Sequence, residues 1–187
     1  MDKIRILGLM SGTSMDGLDC GLFDICLNKS YNFSWNCIDF KTFNYSKRIK
    51  DIISNSLDGN LYTIKKIDKL LGKEIAKISQ IFIGDRYIDY ISSHGQTISH
   101  NDGISTLQIG DPKYLHQIFN VPILYDFRQE DIKHGGNGAP LMPFLDWLLF
   151  KKIDKDVITL NIGGISNISY IPKSNKRSEV IGFDTGP

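Results

Sequence analysis

Twice in this chain of 187 residues an apolar, strand-like run meets a short turn of glycine with hydroxyl or amide residues, and a second apolar run follows at once. The first instance is "LGLMSGTSMDGLDCGLFDI", residues 7–25, and the second is "VITLNIGGISNISYI", residues 157–171. Alternating apolar runs read as strands. A glycine-containing turn between strands exposes successive backbone N–H groups, which form a nest for an anion. Two such turns suggest two half-sites facing each other, and that repetition limits the fold more than any other feature of the chain.

The remaining pattern predicts an α/β domain. Residues 3–10, 18–27 and 33–43 read as an antiparallel meander. Apolar residues at helical spacing across residues 46–83 predict two helices separated near residues 58–60. "YIDYISSHGQTISH" reads as a strand entering a polar turn at His94 and Gly95. "PKYLHQIF" reads as a short helix opened by Pro112 and capped by Asp111. "NVPILYDFRQ" reads as a strand whose polar end carries Asp126 and Arg128. The glycine-rich "HGGNGAPLMP" must be a loop, with Asn137 as a cap for the helix around residues 144–150. After the charged stretch "KKIDKD", residues 154–187 restart the pattern and close on "VIGFDTGP", a strand expected to end at an aspartate turn. Residues 1–153 are therefore read as a first domain. Residues 154–187 are read as the opening strands of a second, incomplete one, because two or three strands do not build a core alone.

Charge excludes a bulk attraction to nucleic acid, since 22 basic residues face 21 acidic ones. Cys20, Cys26 and Cys37 match neither a zinc ribbon nor a redox pair and read as reduced structural thiols. No signal peptide is evident at the start, and "PLMPFLDWLLF" is too short for a bilayer span and carries Asp146. A cytoplasmic protein is the expectation.

Gly12 and Gly17 have the spacing of a phosphate-binding loop of the Walker type, but Leu18 and Asp19 stand where that loop needs lysine and a hydroxyl residue. The turn can still hold phosphate through backbone N–H groups and the hydroxyls of Thr13 and Ser14. Asp16 and Asp19 would repel phosphate unless Mg²⁺ lay between them. A hairpin turn with solvated aspartates is the competing reading. His94, Gln96 and His100 form one polar group, and Asp126, Arg128 and Asp131 another. Their mixed donors and acceptors suit a sugar better than a metal. Arg128 either pairs with a substrate carboxylate or forms an internal salt bridge to Asp126 or Asp131. The loop around Asn137 is structural or approaches the sugar closely.

Taken in order, "GLMSGTSMDGLD", "SSHGQTISH", "LQIGDP", "DFRQEDIKHGGNGAPLMP", "NIGGISN" and "GFDTGP" resemble the 1,6-anhydro-N-acetylmuramic acid kinase family across essentially the whole chain. The resemblance implies the fold of the sugar kinase, heat-shock protein 70 and actin-like superfamily, in which two α/β domains close over ATP. It implies that Gly12, Thr13, Ser14, Met15, Asp16, Gly17, Leu18 and Asp19 form the first ATP phosphate loop, with Asp16 toward Mg²⁺. Asn161, Gly163 and Gly164 would belong to the corresponding loop of the second domain. Asp184 matches the family's general base, and His94, Gln96, Arg128 and Asn137 fall where sugar contacts are expected. The implied reaction opens the 1,6-anhydro bridge with water and phosphorylates O6 from ATP. A homodimer is also implied. The family normally continues for about another domain's length, so a sugar-binding or remnant fragment stands as one alternative and a kinase for another small metabolite as a second.

Overall fold

The structure, a computed structural model, describes residues 3–12, 14–28, 32–57 and 60–186. The opening alternation forms β1 (Ile4–Ser11), β2 (Gly17–Leu27) and β3 (Phe33–Asn44), paired antiparallel in chain order as the meander predicts. Side chains alternate along a strand, so Leu7, Leu9 and Ser11 of β1 and Leu18, Cys20 and Leu22 of β2 share one face, and all are buried. Burial also pushes the Cys20 thiol up to about 12.

Two helices cover that face, α1 (Lys47–Leu57) and α2 (Leu61–Ile83). The Asn60 side chain accepts from Thr63 N at 3.0 Å and starts α2 where the sequence places the break. Ile67, Leu71, Ile75, Ile78 and Phe82 recur at helical spacing and are all buried. Each such side chain contributes about 1.5–3 kcal/mol of transfer free energy on burial.

The sheet extends through β4 (Tyr90–Asn101), which runs parallel to β1 and antiparallel to β5 (Ser105–Ile109). The short β6 (Ile123–Leu124) pairs parallel with the first half of β4. The strand order is β3-β2-β1-β4-β5, with β6 beside β4, giving an α/β architecture with a mixed sheet. Three helices follow: α3 (Lys113–Phe119), α4 (Phe127–Lys133) and α5 (Met142–Phe150). No helix among the described residues is long and apolar enough to cross a membrane.

Several local expectations are corrected. β4 does not turn at His94 and Gly95 but runs on to Asn101. Gly95 adopts φ +67°, and a Cβ there would lie 2.7 Å from Ile109 O, so glycine lets β4 bend tightly against β5 instead of ending. Arg128 stands on α4 and not at a strand end, because β6 stops at Leu124. Asn137 does not cap α5: the residue at that helix's N-cap is Leu141, and no side chain bonds there. Asp111 does accept from Lys113 N, at 3.1 Å, as a cap would.

Past residues 151–156, β7 (Val157–Asn161), β8 (Ser166–Ile171) and β9 (Ile181–Gly186) form a separate antiparallel sheet in that order, with a single 3₁₀ turn at Arg177–Glu179. Its small core draws on α5. Trp147, Leu148 and Ile171 are buried together, and Phe33, Phe150, Val157 and Val180 pack around them. Asp146 of α5 is buried too, and its Oδ2 accepts from Thr159 Oγ1 at 2.7 Å and Ser169 Oγ at 2.6 Å.

Candidate active site

The first glycine turn joins β1 to β2. Met15 takes a left-handed conformation at φ 54°, and its N–H donates back to Gly12 O at 3.1 Å. Asp16 O accepts from Tyr45 N at 2.9 Å, tying the turn to the start of the helical layer. Of the expected phosphate contacts, Gly12 is half-buried, while Ser14 and Asp16 are exposed at the turn. The Asp16 carboxylate lies 3.5 Å from Lys50 Nζ. Thr13 lies outside the described residues. Gly17, Leu18 and Asp19 belong to β2. Leu18 is 1% exposed, so its side chain serves the core, and Asp19 accepts from Thr42 Oγ1 on the neighbouring strand.

Beneath this turn lies a buried polar chain of which the sequence singled out only Gln96, as an expected sugar contact. Ser11 Oγ donates to Gln96 Oε1 at 2.6 Å, and Tyr45 OH donates to Ser11 Oγ at 3.3 Å. Burial pushes the Tyr45 phenol up to about 12. Gln96 itself is fully buried, with its Nε2 donating to Thr97 O at 3.2 Å. Its amide therefore fixes the end of β1 against β4.

His94, in the middle of β4, meets Arg128 of α4. Arg128 Nε donates to His94 Nε2 at 2.9 Å, and Arg128 Nη1 donates to Gly138 O at 2.9 Å. His94 Nδ1 faces Gly95 O at 3.0 Å, so it carries the proton, and the ring is the neutral tautomer that accepts through Nε2. Burial, and then the Arg128 charge, hold the His94 pKa below its ordinary value. The sequence left open a salt bridge from Arg128 to Asp126 or Asp131, and neither forms among the described residues. Asp131 instead accepts from Gly138 N at 2.8 Å, which stitches the glycine-rich loop to α4. Asn137 is exposed in that loop, and its carbonyl accepts from Gly103 N at 3.0 Å.

The second sheet brings another polar row to the same region. Cross-strand register pairs Asn161 with Asn167 and Asn167 with Asp184. Strand alternation puts these three on the face that holds Thr159 and Ser169, the face covered by α5. Asp184 is not at a turn, as the sequence suggested, but inside β9 beside a register shift, a device that re-aims a side chain. Burial lowers the Arg128 pKa, and the Asp184 carboxylate is near enough to oppose that by raising it. Gly163 and Gly164 lie exposed in the β7–β8 turn.

The exposed Asp184 carboxylate thus acts on a guanidinium that His94 and Gly138 hold in place. The family model for anhydro-N-acetylmuramic acid kinase matches residues 4–187. The chain belongs to the anhydro-N-acetylmuramic acid kinase family. Curated members similar to it come from Clostridioides difficile, at 40% identity over 97% of this chain and 51% of the relative. A member from Caldanaerobacter subterraneus subsp. tengcongensis has 34% identity over 97% of this chain and 50% of the relative. A Shewanella member has 36% identity over 100% of this chain and 52% of the relative. The chain thus spans about half the length of the curated relatives it matches.

Within this family member the residues missed by sequence reasoning are mostly those that hold others in place. Asp146 had a visible signal, being the lone carboxylate in "PLMPFLDWLLF", where a charge must find buried partners. Ser11 and Tyr45 gave none, because the Ser11–Gln96 pair that Tyr45 joins depends on the parallel register of β1 and β4. No group of three or more His, Cys, Asp or Glu side chains among the described residues is arranged to hold a metal.

Proposed function

We propose that this chain carries the phosphate loop, the carboxylate anchor and the general base of an ATP-dependent kinase acting on 1,6-anhydro-N-acetylmuramic acid, in the recycling of cell-wall peptidoglycan. The observation that carries the reading is the pairing of roles around Arg128. His94 and Gly138 hold its guanidinium in place, its Nη2 end has no partner among the described residues, and the Asp184 carboxylate acts on it from the second sheet. A bridged sugar with a lactyl carboxylate needs an anion anchor and a base within one ligand's length of each other.

Asp184 takes a proton from water as the water oxygen bonds to C1, as in the base half of an inverting glycosidase. The C1–O6 bond breaks with its electron pair passing to O6. O6 then bonds the γ-phosphorus of ATP while ADP leaves, giving N-acetylmuramic acid 6-phosphate. Arg128 pairs with the lactyl carboxylate through its remaining donors. The turn from Gly12 to Gly17 supports the phosphates through Ser14 and exposed backbone, with Met15 and Leu18 as its anchors. Asn161, Gly163 and Gly164 face the phosphates from the second half. His94 orients Arg128, Gln96 orients the first turn, and the Asn137 loop borders the sugar.

Phosphoryl transfer of this kind relies on positioning and charge stabilisation, which Mg²⁺ supplies when bound. Asp16, exposed at the turn with Lys50 Nζ at 3.5 Å, would be the single carboxylate toward a cation held chiefly by phosphates. The wider reading is an actin-like fold in which residues 1–153 and the strands of residues 154–187 belong to two domains that close over ATP. A cytoplasmic homodimer completes it.

The test is to incubate the purified chain with ATP, Mg²⁺ and 1,6-anhydro-N-acetylmuramic acid, alone and with the remaining half of the Clostridioides difficile relative. Ring-opened 6-phosphate detected by mass spectrometry and lost in Asp184→Asn supports the reading. Absence of that product under both conditions overturns it.

A further inference from the structure

A phosphate loop of the Walker type carries a lysine that sets a point charge on the outer phosphates, and here Leu18 and Asp19 stand in its place. The charges on the first glycine turn itself are negative. Asp16 is exposed on it, and Asp19 follows at the start of β2. The phosphates of ATP therefore need positive charge from outside residues 12–19. Among the described residues, the ion pairs bring one cation to this turn, Lys50 of α1, whose Nζ lies 3.5 Å from Asp16 Oδ1. Lys50 is 34 positions from Asp16 in the chain, so no motif of the turn reveals it.

The fold fixes where this ammonium can reach. Tyr45 N donates to Asp16 O at 2.9 Å, and α1 begins two residues later. Ser46 starts that helix, its carbonyl accepting from Ile49 N at 2.9 Å and from Lys50 N at 3.0 Å. Ile53 is fully buried, and Ile49 and Ile52 pack against the same core. These anchors hold the first turn of α1 beside the glycine turn and leave the Lys50 side chain 42% exposed. The Asp16 side chain opposite is 69% exposed, so water screens the pair and neither end is held firmly. A more strongly charged anion can take the place of Asp16. Mg²⁺ drawn to Asp16 favours that exchange, because like charge drives the ammonium toward the phosphates.

We infer that Lys50 is the phosphate-contacting cation of the first glycine turn, supplying from α1 the charge that residues 12–19 lack. The assignment rests on the kinase reading above. In the free chain Lys50 neutralises Asp16, and with MgATP bound it donates to phosphate oxygens while Asp16 faces the cation. A lysine suits this exchange, since its compact ammonium carries three donors on a flexible stem and can follow charge as it shifts along the phosphates.

The experiment titrates MgATP, magnesium tripolyphosphate and adenosine into the isotopically labelled chain, alone and with the remaining half of the Clostridioides difficile relative. Calorimetry reads affinity, and NMR reads the lysine ammonium signals. The expected result is that MgATP and tripolyphosphate shift the Lys50 signal of the wild type and adenosine does not. Lys50→Met then weakens both phosphate ligands about tenfold, while Lys50→Arg, which keeps the charge, retains most of the affinity. The comparison is repeated in Asp16→Asn. A loss that persists there shows contact with phosphate itself, whereas a loss that vanishes shows that Lys50 only cancels the charge of Asp16 and overturns the assignment. An unmoved Lys50 signal, equal affinities for wild type and Lys50→Met, or no binding of either phosphate ligand under either condition overturns it as well. The wild-type signal needs no variant, so a variant that fails to fold does not blunt the test. Ring-opened 6-phosphate formed with the Lys50 signal unmoved would sink the role of Lys50 alone. Lys50-dependent binding of MgATP without that product would sink the sugar-kinase reading and leave a nucleotide site.

Discussion

Arg128 donates its Nε hydrogen to His94 Nε2 at 2.9 Å, and this one bond couples the protonation of an imidazole to the placement of an anion anchor. A protonated His94 would present N–H at both ring nitrogens and could no longer accept from a guanidinium. Burial, reinforced by the Arg128 charge, holds the folded-state pKa below the ordinary 6.5. The unfolded chain therefore binds the proton at higher pH than the folded one. Stability from this site is fully present above the unfolded value and falls as pH drops through the folded value. Thermal melts between neutral and mildly acidic pH should show Tm declining more steeply in the wild type than in His94→Gln, which does not titrate. Equal slopes would mean that the imidazole is not held neutral.

Gln96 separates a structural from a contact role. Its side chain is fully buried and completes the Ser11–Tyr45 chain beneath the first glycine turn. Gln96→Leu should cost about 1–3 kcal/mol by leaving the Ser11 hydroxyl short of a buried acceptor. Chemical denaturation measures this directly. A variant as stable as the wild type but weaker for the sugar would return Gln96 to the list of substrate contacts.

The difference between Gln96 and Arg128 shows what could be read from sequence. The glycine turns, the strands beside them and the helical periodicity of α2 are local signals, and all appear where the residues put them. The polar cluster at His94 and Arg128 was also visible as chemistry, since both lie in short polar stretches that end apolar runs. Which member faces the ligand was not visible, because that depends on the bend at Gly95 and on α4 replacing the expected strand end. The place of Asp184 was hidden for a similar reason. Its neighbours Thr185 and Gly186 look like a turn, yet pairing with Asn167 and the hydrogen bond from Thr185 Oγ1 to Ser166 O at 3.2 Å keep them in β9.

Asp146 joins the helix after the glycine-rich loop to the sheet that carries Asp184. One carboxylate oxygen takes both the Thr159 and Ser169 hydroxyls, which are cross-strand partners on β7 and β8. Asp146→Ala should cost about 3 kcal/mol, because the buried Ser169 hydroxyl and the half-buried Thr159 hydroxyl lose a charged acceptor together. Asp146→Asn retains an acceptor of the same shape and should cost about 1 kcal/mol. Urea denaturation of the two variants gives the comparison. Equal losses would show that helix packing, and not the carboxylate, holds α5 on the sheet.

α5 meets β9 where Pro143 faces Gly182. Gly182 lies two residues before Asp184, on the same face of the strand, and an added Cβ would overlap the ring of Pro143 at the start of α5. A proline ring has little freedom to move aside, so the helix and the strand must separate. Overpacking of this sort costs about 1–3 kcal/mol, and Gly182→Ala should fall in that range by denaturation. The larger consequence lies at the site. Separation would carry Asp184 away from Arg128, and the Arg128 pKa would lose the support it draws from that carboxylate. The chemical shifts of the Arg128 guanidinium in wild type, Gly182→Ala and Asp184→Asn report this directly. The two variants should move the signal in the same direction. If Gly182→Ala lowers stability and leaves the guanidinium signal unmoved, then the distance between the anchor and the base is not set by the contact between Gly182 and Pro143.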